Sequence, residues 1–90
     1  MVVYLLISRV DDYDTSATPM GIFSTYDAAE DFAHEKFKNI RFSNDQYNYW
    51  IFDDHLVGKD EKPLVVGNFT GLSIRHREQC DIAIIQYEVK

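Results

Sequence analysis

The chain opens on an apolar run in which both alternating sets are hydrophobic: Val2, Tyr4 and Leu6 on one side, Val3, Leu5 and Ile7 on the other. That pattern predicts a strand over residues 2–10 covered on both faces. The polar stretch 11–19, which ends in Pro19, reads as a loop, and Met20 to Phe23 as a short strand containing Gly21. The period then changes. Ala29, Phe32, Ala33, Phe37 and Ile40 recur at helical spacing, with Asp27, Glu30, Asp31, His34, Glu35 and Lys38 on the opposite side. Ser24 with Asp27 three positions later resembles a capping box, so the helix is expected to start at Ser24. Acids near its start and Lys36 and Lys38 near its end suit the helix dipole.

Residues 41–45 read as a turn. Tyr47 to Asp53 reads as an aromatic strand, with Tyr47, Tyr49 and Ile51 against Trp50 and Phe52, and residues 55–57 extend it past an irregularity. An exposed turn over 58–63 leads to a strand from Leu64 to Phe69, a break at Thr70 and Gly71, and an ambiguous piece over 72–75. Cys80 to Val89 reads as the last strand. The order β-β-α-β-β-β, with one helix to cover the sheet, predicts the α+β class: two layers, a mostly antiparallel sheet and a single helix on one face. The remaining face is then either solvated or used, and the aromatics of the third strand favour use.

Ninety residues supply one domain, 1–90, and 46% hydrophobic content gives it a core without staples. The lone Cys80 cannot form an internal disulfide, which points to a reducing compartment and a cytoplasmic setting. The first apolar run is too short for a membrane span and lacks a basic leader, so neither a span nor a signal peptide is expected. The net charge is −6, and residues 1–35 carry seven acids against the single base Arg9, whereas residues 36–90 are balanced at eight of each. An acidic first third repels nucleic-acid backbone and attracts basic partners.

Candidate chemistry is sparse. In Asp53-Asp54-His55 only Asp53 and His55 share a strand face, and no third metal ligand can be named. Asp12-x-Asp14 begins like a calcium loop but lacks its glycine and closing glutamate. Cys80 has Asp81 beside it, which is expected to disfavour the thiolate, and His76 four residues away across a turn. Arg75-His76-Arg77 is the densest basic spot, and with Tyr47, Tyr49 and Trp50 it hints at stacking on single-stranded nucleic acid, against the overall charge. The four glycines stand singly, so there is no phosphate loop. No catalytic residue, metal site or cofactor is assigned.

Tyr4-Leu5-Leu6, followed by Gly21-Ile22-Phe23-Ser24 and Ala28-Ala29, resembles small phage and bacterial α+β proteins in which a Gly-aliphatic-Phe-Ser strand end precedes an acidic helix. The resemblance covers about the first 35 residues and brings no activity or functional residues with it. It implies a phage, viral or bacterial accessory protein. The function expected is a non-enzymatic protein-binding module. Its contact residues would be Asp27, Glu30, Asp31 and Glu35 on the helix and Tyr47, Tyr49 and Trp50 on the aromatic strand. In a sharper form it is an inhibitor of a host nuclease or defence factor, its acids standing in for nucleic-acid phosphates. The alternatives are a small-ligand-binding or enzymatic domain with a pocket between helix and sheet, and a homodimeric structural subunit.

Overall fold

In a computed structural model the residues described are 1–10, 18–43, 64–75 and 77–89. They form β1 (Val2–Val10), β2 (Thr18–Phe23), α1 (Tyr26–Lys36), β3 (Phe37–Phe42), β4 (Leu64–Ser73) and β5 (Gln79–Glu88). The strands make one five-stranded sheet in the order β2-β1-β5-β4-β3, and every neighbouring pair is antiparallel. The chain is thus a small α+β fold with one helix among the described residues.

The two central strands explain the doubly apolar sequence at the start. β1 and β5 pair along their whole length, from Val2 opposite Glu88 to Val10 opposite Cys80. On one side of the sheet Leu6, Ile82 and Ile84 are fully buried and pack with Ala29, Ala33, Phe37, Phe69 and Cys80. On the other side Ile7, Ala83 and Ile85 form a second buried cluster, flanked by Leu5, Val65 and Tyr87. Alternation along each strand assigns successive side chains to the two clusters.

The helix packs against the first cluster through small residues. Ala29 and Ala33 are buried one turn apart and let its backbone approach the sheet closely, with Tyr26 and Phe32 filling the margins. Tyr26 meets Tyr4 edge to face, with centroids 6.2 Å apart, and Phe32 lies 5.3 Å from Phe23. Thr25, not Ser24, is the N-cap: it is extended, and its Oγ1 accepts from the Ala28 N–H at 3.1 Å. Adjacent hydroxyl residues are equivalent to a sequence pattern, and the cap geometry decides between them.

Four expectations are corrected. β2 starts at Thr18, so Pro19 belongs to an edge strand, where a missing N–H is tolerated. The helix ends at Lys36. Phe37 turns extended as its C-cap and starts β3, which removes Phe37, Lys38 and Ile40 from the helix and places Arg41 and Phe42, the first two residues of the expected turn, at the end of a strand. β4 is continuous through the break expected at Thr70 and Gly71. Its glycines are there for close approach. A Cβ on Gly67 would lie 2.7 Å from Phe69 Cε2, and one on Gly71 would lie 3.2 Å from both Phe37 Cβ and Ile40 Cγ1. Finally, the third strand of the described sheet is Phe37–Phe42. The aromatic strand expected over 47–53 lies outside the described residues.

Both outer strands are blunted. β2 carries Pro19 and a register break between Leu6 and Ile7 of its partner. β3 carries exposed Lys38 and Arg41 around a register break, with Asn39 at a φ of 54°. Proline, charge and bulges are the devices that oppose edge-to-edge pairing.

Candidate functional site

Four of the seven expected contact residues fall on one side of α1. A helix advances about 100° per residue, so Asp27, Glu30, Asp31 and Glu35 cluster opposite Ala29 and Ala33. Asp27, Asp31 and Glu35 are exposed, and Glu30 is half-buried. Among the described residues only Glu30 has a potential counter-charge on the helix face: His34 Nε2 lies 3.8 Å from its Oε1, an ion pair only when the imidazole is protonated. Lys36, the helix's one lysine, turns over the Phe32 ring, its Nζ 5.5 Å from the centroid. The acids therefore stand as a row of negative charge along the outer side.

That charge is felt by a neighbour. The Tyr26 hydroxyl is held above the ordinary tyrosine range, first by burial and then by the negative charges of Glu30 and Asp27. Nearby carboxylates disfavour a second negative charge, as a concentrated anionic field should.

The other three expected contact residues, Tyr47, Tyr49 and Trp50, lie outside the described residues, as do Asp12, Asp14 and Asp53 to His55. Arg75 and Arg77 are exposed in the turn between β4 and β5. Cys80 is buried, and its thiol donates to the Glu78 carbonyl at 3.5 Å. Asp81 projects from the opposite face of the sheet to that thiol. Successive strand residues face opposite ways, and Asp81 instead reaches Arg9 across the far side of the sheet. Among the described residues no group of three or more His, Cys, Asp or Glu side chains could hold a metal ion, and no helix is long and apolar enough to cross a membrane.

No family model, curated protein or solved structure matches the chain. A pocket between helix and sheet is expected from the sequence only in the small-ligand alternative, which names no lining residues. Around the C-terminal end of α1, side chains from the helix, all five strands and the β4–β5 turn border a half-open cleft whose lining includes Ser8, Phe37, Arg75 and Cys80. These residues are far apart in the chain, and only the strand order brings them together.

Proposed function

We propose that the chain is a protein-binding module that presents the outer side of α1 to a basic surface on its partner. The observation that carries this reading is the exposed row Asp27, Asp31 and Glu35, backed by Glu30 and unmatched by a lysine or arginine on the same side of the helix. Four residues of helix rise about 6 Å, so these carboxylates repeat at a regular short interval on a rigid element. A surface of this kind speeds encounter with a cationic partner and selects against anionic ones. The blunted edges of β2 and β3 favour contact through a face over strand addition or edge-to-edge dimerisation.

In its narrower form the partner is a host nuclease or defence factor, and the carboxylates occupy a surface meant for nucleic-acid phosphates. This form rests on the same row of acids and on the excess of acid in the first third of the chain. The deciding experiment is charge reversal, Asp31→Lys with Glu35→Lys. Crosslinked partners recovered with the wild-type chain should be lost with the double variant, and the wild-type contact should weaken steeply with salt. Recovery of the same partners by the double variant would remove the acidic side of α1 from the contact.

A further inference from the structure

We propose that the groove between β3 and β4, on the side of the sheet away from α1, binds the phosphate group of a small polar phosphate ester. This is independent of the acidic row. Residues paired across neighbouring strands share a face. Arg9, Asp81, Thr70 and Arg41 therefore form one row across β1, β5, β4 and β3, and Gln79, Leu72 and Lys38 form another on the same side. Arg9, Lys38 and Arg41 make this side cationic. Asp81 is the one acid on it among the described residues, and Arg9 already meets that carboxylate at 3.1 Å. Lys38 and Arg41 have no carboxylate partner among the described residues, in a chain whose net charge is −6.

Arg41 is the observation that points to an anion. A cation that only blunts an edge strand would extend past it into solvent. Arg41 instead turns inward over β4, its Nε donating to Thr70 Oγ1 at 3.3 Å. That bond orients the guanidinium and uses one of its five N–H groups, leaving the terminal fork for a bidentate contact of the kind phosphate accepts. The groove holds about 350 Å³, near the lower end of the roughly 300–1,000 Å³ typical of small-molecule sites. Asn39, Thr70 and Gln79 line it beside Arg41 and offer hydroxyl and amide groups to a polar ligand body. Asn39 takes its place there through a local irregularity: it stands at a φ of 54° where β3 slips register against β4.

The test titrates glucose 6-phosphate, inorganic phosphate and glucose into the full chain at matched ionic strength, followed by amide chemical shifts. The two phosphates should give saturable shifts at Asn39, Arg41, Thr70 and Gln79, and glucose none. Glucose 6-phosphate should bind about 3- to 10-fold more tightly than inorganic phosphate, the worth of one net hydrogen bond from the polar lining. Arg41→Gln should weaken both by about 10-fold or more, as loss of a hydrogen bond to a charged group does. Arg41→Lys should restore only part, since an ammonium lacks the fork. Gln79→Glu sets a carboxylate in the groove and should weaken both phosphates as well, which keeps the test open if the first variant does not fold. Absence of saturable shifts, an equal response to glucose, equal affinity for the two phosphates, or undiminished binding in a folded Arg41→Gln or Gln79→Glu would each overturn the proposal.

Discussion

Arg9 and Asp81 stand opposite each other on the two central strands, and their side chains meet across the sheet with Nη2 3.1 Å from Oδ2. Both are largely shielded, at 14% and 18% side-chain exposure. They lie on the side away from the helix, beyond Ile7 and Ala83. Removing one partner of a fully buried pair costs roughly 3–5 kcal/mol, chiefly because the other charge stays behind. This pair keeps some contact with solvent, so Arg9→Met should cost less, about 2 kcal/mol. Adding Asp81→Leu should return much of that loss. Urea melts of the two single variants and the double variant check both statements, and additive losses would show that the pair is not coupled.

Gly67 sits beneath Phe69 and Tyr26, where a Cβ would come within 2.7 Å of one ring and 3.1 Å of the tyrosine oxygen. Phe69 cannot swing away freely, because it is buried and meets Phe42 edge to face at 5.5 Å. Gly67→Ala should therefore destabilise by about 1–3 kcal/mol, the usual range for overpacking. Thermal melts read this directly. A neutral result would mean that Phe69 has room to shift.

Arg77 closes the turn between β4 and β5, its N–H donating to the Ser73 carbonyl at 2.7 Å, with a φ of 55°. A side chain with a Cβ pays for this left-handed backbone, whereas glycine adopts it freely. Arg77→Gly should hold or raise stability by up to about 1 kcal/mol, the steric relief exceeding the added freedom of the unfolded chain. A loss of stability would show that the arginine side chain holds the turn by a contact of its own.

The folded chain holds the Tyr26 proton more tightly than the unfolded chain does, because the Tyr26 pKa is raised by burial, Glu30 and Asp27. At neutral pH the hydroxyl is protonated in both states and adds no pH dependence. As pH rises past 10 the unfolded chain releases this proton first, so stability falls until the folded-state pKa is passed. Tyr26→Phe should flatten part of that alkaline decline relative to the wild-type chain. Paired denaturant melts on either side of pH 10 measure the difference, and parallel curves would show that the local field does not reach the hydroxyl.

The parts of the fold that were legible in the sequence are those where one pattern has one interpretation. β1, most of α1 and β5 follow from runs too apolar or too periodic to be read otherwise. β3 was hidden because Phe37 and Ile40 continue the spacing of Ala29 and Ala33. Only pairing with β4, Phe37 opposite Ser73 and Phe42 opposite Phe69, makes them a strand. Gly71 reads as a break in β4, since glycine signals a turn unless a neighbour needs its missing side chain. The acids of α1 could be placed on one side by counting residues. The lining of the cleft at the C-terminal end of α1 could not, because Ser8, Met20, Phe37, Ile74 and Cys80 share no local pattern.

The row of acids on α1 also bears on stability. Asp27 with Asp31, and Asp31 with Glu35, are like charges four residues apart, each pair costing roughly 0.2–0.5 kcal/mol in an isolated helix. The helix dipole compensates Asp27 in the first turn but not Asp31 or Glu35 further along. Asp31→Lys replaces both repulsions with attractions: Asp27 gains a cation four residues toward the C-terminus, the favoured orientation, and Glu35 gains one four residues back. Position 31 is exposed and touches neither Ala29 nor Ala33's buried side, so packing is left alone. Asp31→Lys should therefore stabilise by about 0.5–1 kcal/mol at low salt, a gain that shrinks as salt is added. A variant that is more stable yet binds its partner less well would show that the acids are kept at a cost to folding, which is the signature of a contact surface. If the substitution leaves stability unchanged at low salt, the carboxylates are too well solvated to interact, and the case for a concentrated anionic row on this helix loses its physical basis.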